Sequence, residues 1–141
     1  MDDLVLEIAK MKDKEDRDEA LSLINSIVRI RSSLESFINK IPLQIAPKAI
    51  EGKFFFTGDV FLTKTGFEIE DFVLEITKKG FFIFKDGKLL YQFSDDFFLM
   101  DLSILRYLFK KIEKANVQFT KEWEEKISQF DALMIQKIRD F

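Results

Sequence analysis

The spacing of apolar residues changes twice along this chain, and those changes restrict the folds open to it. From Ala20 through Leu23, Ile27, Ile30, Leu34 and Phe37 to Ile41 the apolar positions recur every three or four residues. That is the a/d pattern of an amphipathic helix, held over three heptads. Ile24 and Ile38 widen the stripe on one flank, Leu21 and Val28 on the other, and the opposite face is small and polar. Pro42 removes an amide donor and disfavours helical geometry at Ile41, so the helix is expected to stop there. Between Lys53 and Phe93 the period falls to two, and glycine returns at 58, 66, 80 and 87. After Ser94 the three-and-four spacing resumes and runs to Phe141.

The central stretch reads as successive strands. Phe54 to Phe56, Val60 to Leu62, Phe67 to Ile76, Phe81 to Lys85 and Lys88 to Phe93 are separated by turn residues. Asp86-Gly87 is the strongest short hairpin signal in the chain. The alternation slips phase near Asp71, where a bulge or bend would account for it. With no helix between strands, the expected sheet is an antiparallel meander of four or five strands.

The same logic divides the flanks. Leu4, Val5, Ile8 and Met11 suggest a short first helix, interrupted by the charged run Lys12 to Asp18. A third helix would be capped by Ser94, Asp95 or Asp96 and carry Phe97, Met100, Ile104 and Leu108 towards Ile112. Ala115 to Phe119 would connect it to a fourth, capped by Thr120, with Trp123, Ile127, Phe130, Met134, Ile138 and Phe141 along one face and Leu133 alongside. The expectation is a single α+β domain over residues 1–141: two N-terminal helices, the meander, two C-terminal helices. This layout loosely resembles prefoldin subunits, but the second helix is too short for a long coiled-coil arm and the third too apolar, so no family is assigned.

Composition removes whole chemistries. With no cysteine there are no disulfides, thiol nucleophiles or iron–sulfur ligands, and with no histidine the usual general base and zinc ligand are missing. The glycines sit at turn spacings, so no phosphate-binding loop is present. The acids at Glu68, Glu70, Asp71 and Glu75, at Asp95-Asp96, and at Glu122, Glu124 and Glu125 read as solvated strand faces and helix caps. Glu75-Ile76-Thr77-Lys78 has an acid-x-lysine likeness to metal nucleases, but one extra residue turns Lys78 to the other strand face. No catalytic residue, metal or cofactor is expected. An acidic N-terminus without a basic signal region, and no apolar run of membrane-spanning length, lead to the expectation of a cytoplasmic protein without membrane contact. Seventeen phenylalanines with abundant Lys and Glu suit a heat-adapted protein or an AT-rich genome.

Two functional readings follow. The first is a non-enzymatic protein-interaction, adaptor or structural protein acting as a homodimer, because the apolar surface exceeds what one small domain can cover. Its interface would use Ile27, Ile30, Leu34 and Phe37 of the second helix and Phe97, Met100 and Ile104 of the third. The second reading rests on Lys79-Gly80-Phe81-Phe82-Ile83-Phe84, which resembles part of the glycine-aromatic signature on RNA-recognition and cold-shock strands. It departs from that signature at Phe82, where a small residue is wanted, and at Ile83, where an aromatic is. The resemblance implies a nucleic-acid-associated regulator that stacks bases on Phe82 and Phe84 and contacts phosphates through Arg106, Lys110, Lys111 and Lys114. The net charge of −3 gives no basic surface of the kind that tracks a phosphate backbone unaided.

Overall fold

The computed structural model describes the backbone of residues 2–140 and the side chains from Lys14 to Asp140, Phe55 excepted. Leu4, Val5, Ile8, Met11 and Phe141, assigned above to helix faces, lie outside the described side chains. The protein is α+β: one long helix, α1 (Asp2–Asn39), a seven-stranded sheet, and a second long helix, α2 (Leu102–Asp140). The strands are β1 (Phe54–Thr57), β2 (Val60–Leu62), β3 (Gly66–Ile69), β4 (Phe72–Thr77), β5 (Gly80–Lys85), β6 (Lys88–Phe93) and β7 (Phe98–Leu99). Each pairs antiparallel with its neighbour in sequence, so the sheet is a pure meander.

Four expectations need correction. The charged run Lys12 to Asp18 does not break α1, since it contains no glycine or proline and its charges suit a solvated helix face. The third and fourth helices are one: Ala115 and Phe119, placed in a connection, are buried and continue the stripe of Leu105, Leu108 and Ile112. Ser94 does not cap a helix. Its backbone amide and that of Phe97 close the β6–β7 turn, and β7 occupies the segment expected to begin the helix. The helix cap is Asp101, whose carboxylate accepts from the Ser103 amide at 2.9 Å and from the Ser103 hydroxyl at 2.6 Å. Those hydrogen bonds from Ser103 hold the Asp101 carboxyl below its ordinary range. Finally, the phase slip near Asp71 is a full hairpin turn, which together with β7 makes the sheet seven-stranded where four or five strands are expected. Ile69 pairs with Phe72 across Glu70-Asp71, and Glu70 takes a φ of 56°.

Both helices cross one face of the sheet, side by side and in the same direction. Arg106 near the start of α2 pairs with Glu19, and Phe119 further along meets Phe37 with ring centroids 6.2 Å apart. Beneath them Phe56, Val60, Leu62, Phe67, Ile69, Leu74, Phe81 and Ile83 form the sheet side of a single core. α1 lies over the ends of the strands that turn at Thr63–Gly66 and at Ser94–Asp95, held at each by an arginine. Arg31 donates to the carbonyls of Gly66, Thr63 (2.8 Å) and Lys64 (2.9 Å), and its guanidinium lies over the Phe67 ring. Arg17 donates to the Ser94 carbonyl (2.8 Å) and the Asp95 carbonyl (3.2 Å) and sits 4.9 Å over Phe93. Fourteen residues of helix span about 21 Å. The two turns lie four strand spacings apart, about 19 Å. The repeat of the arginines therefore matches the repeat of the sheet.

Candidate interaction surface

The lengths of sheet and helix do not agree. Seven strands give six spacings, about 29 Å. α2 has 39 residues, about 58 Å of helix. Its buried residues end at Phe119, whose ring packs against Phe56 at 5.1 Å and against Trp123 at 5.9 Å. Trp123 lies at the β1 edge of the sheet, with Lys126 Nζ 4.4 Å over its ring. Beyond it the helix leaves the body. Ile127 and Phe130 are half-buried, and Leu133 (61%), Met134 (41%), Ile135 (53%) and Ile138 (73%) are exposed. The apolar stripe that fills the core thus continues along the same helix and, among the described residues, is exposed from Leu133 onwards.

The residues proposed for the first reading's interface lie elsewhere. Ile27 (0%) and Leu34 (1%) are fully occupied by the chain's own core. Ile30, Phe37, Met100 and Ile104 are packed against that core, and Phe97 is exposed in the β6–β7 turn. They form no common patch, because α1's stripe faces the sheet and α2. The better surface was visible in the sequence as the Trp123-to-Phe141 face. Its exposure could not be read there, since that depends on where the sheet ends.

The residues of the nucleic-acid reading are separated. Phe81 and Ile83 face the core, so Phe82 and Phe84 point to the other face of β5, where Phe82 pairs across with Glu75 and Phe84 with Val73. Arg106, Lys110, Lys111 and Lys114 are on α2, on the core side of the sheet. Two of those four are engaged. Arg106 makes a two-pronged ion pair with Glu19, both contacts 2.7 Å, which holds the Glu19 carboxyl below its usual range. Lys111 lies 3.6 Å from Glu70, and the same carboxylate accepts from the Tyr107 hydroxyl at 2.6 Å. That hydrogen bond raises the Tyr107 pKa above the ordinary phenol value.

Among the described residues no group of three or more acids is placed to hold a metal ion. No described helix is long and apolar enough to cross a membrane. The other concave region of note lies between α1 and the β4–β5 turn, with Ile24, Val28, Ile76 and Phe81 as its floor and Lys78 and Lys79 at its rim. Comparison of the chain with protein-family models, with curated proteins and with solved structures gave no match.

Proposed function

We propose that this is a non-catalytic interaction protein that works as a homo-oligomer, joined through the projecting part of α2. The observation that carries the reading is the apolar stripe from Trp123 to Ile138, which outlasts the sheet that covers its first half. The nucleic-acid reading has less support, because its aromatic strand and its basic helix end lie on opposite sides of the sheet and offer one ligand no common surface.

Light scattering at low micromolar concentration tests the proposal. The expected mass is a multiple of 16.7 kDa. Met134→Asp and Ile138→Asp, at exposed positions outside the core, are expected to weaken association by tenfold or more each. A monomer at that concentration would refute the reading.

A further inference from the structure

Resting on the reading above, we infer that the partner on the α2 stripe is a second copy running antiparallel, related by a two-fold axis beside Phe130. Three features of the chain lead there. The first is steric. Up to Phe119 the stripe faces the chain's own sheet, and it keeps to that side of the helix beyond the sheet edge. A second helix laid on it in the same direction would bring its own sheet into the volume already filled by this one. Laid in the opposite direction, each body sits past the tip of the other's helix.

The second feature is the spacing. Phe119, Trp123, Ile127 and Phe130 are separated by four, four and three residues, and Phe130, Met134, Ile138 and Phe141 repeat the same steps. An eleven-residue period of 3.67 residues per turn leaves the helix almost straight, with a slight right-handed bias. Reversed about a point just after Phe130, the stripe falls on itself. Trp123 then lies level with the partner's Ile138, and Ile127 with the partner's Met134. The apolar area offered is on the order of 500 Å² per copy. The aliphatic stems of Lys126 and Lys137 beside it bring the total towards the ~800 Å² per side of a stable dimer.

The third feature is what the partner's tip would meet. At the β1 edge a groove of ≈ 420 Å³ is lined by Phe54, Phe56 and Trp123, with Lys48, Lys126 and Glu122 around it. The reversed register delivers the partner's Ile138 to this apolar floor. It also sets the partner's Asp140 level with Lys121, on the side of the groove that Lys48 and Lys126 line. The same groove on the partner receives this chain's tip, so the contact closes on itself instead of growing into a filament.

The absence of cysteine makes the test direct. Chains carrying Ile127→Cys and chains carrying Met134→Cys are unfolded together, refolded and oxidised, and the products are weighed by mass spectrometry. The antiparallel register predicts mixed 127–134 disulfides at least tenfold more abundant than links of either variant to itself. Same-level residues in a parallel pair would give self-links at 127 and at 134 instead. Self-links, or a dimer without mixed links, would overturn the register while leaving self-association intact. A monomeric mass for the unsubstituted chain would overturn both.

Discussion

Arg31 ties α1 to the β2–β3 turn. Its guanidinium donates to three carbonyls of the β2–β3 turn and pairs with Glu35 at 3.1 Å, with only 13% of the side chain exposed. Burial lowers its pKa, and the charge of Glu35 opposes that. Arg31→Met keeps much of the aliphatic stem over Phe67 and removes only the donors. A hydrogen bond to a charged group contributes about 1.5–3 kcal/mol. These bonds share one guanidinium, and water can reach the Lys64 carbonyl after the change, so they do not add. A net loss of roughly 2–3 kcal/mol is expected, about 6–10 °C in Tm for a chain of this length. Urea unfolding followed by the fluorescence of the single tryptophan, Trp123, measures it. Arg29→Met, at an exposed position on the same helix, serves as the control and should change stability by less than ~0.5 kcal/mol. If the two variants unfold at the same urea concentration, the arginine contacts do not hold α1 to the sheet.

Local geometry sets three further outcomes. Gly66→Ala would place a Cβ 1.8 Å from the Leu74 carbonyl oxygen, backbone that cannot step aside, so a loss of roughly 3 kcal/mol or more is expected in the same assay. Gly58→Ala, open on all sides but at a φ of +61°, should lose only about 1 kcal/mol. In ultraviolet titration Tyr107 should ionise above the ordinary phenol range, and Glu70→Gln should bring it back down. Because the folded value is raised, this contact stabilises the fold below the unfolded phenol's pKa and is lost as pH rises through the folded one. A Tyr107 titration unchanged by Glu70→Gln would show that the hydrogen bond is not formed in solution.

The sheet was legible in the sequence because its signals are local. Asp86-Gly87 and Lys79-Gly80 mark turns by their own chemistry, and alternation within each strand tells which side faces the core. Helix boundaries were less legible, and for an identifiable reason. Charged runs such as Lys12 to Asp18, and the polar residues Asn116 and Gln118, interrupt an apolar pattern without interrupting a helix, since none of them breaks one. β7 was hidden because Phe98-Leu99 is too short to show a period and owes its strand geometry to pairing with Gln92 and Phe93. In the sequence Arg17 and Arg31 carry no signal beyond their charge. Their task depends on turns that lie 77 and 32 residues further along the chain. The exposed half of α2 depends likewise on a length comparison that no single segment contains.

The strictly sequential sheet also has a kinetic corollary. Every strand finds its neighbour across a short turn, so the sheet can zip from any hairpin without searching for distant segments, and low contact order of this kind favours rapid folding. The arginines of α1 have no carbonyls to hold until the β2–β3 and β6–β7 turns exist. On a ribosome α1 emerges ahead of the sheet and would therefore wait undocked while the meander closes behind it, and α2, which follows the sheet, would seal the core.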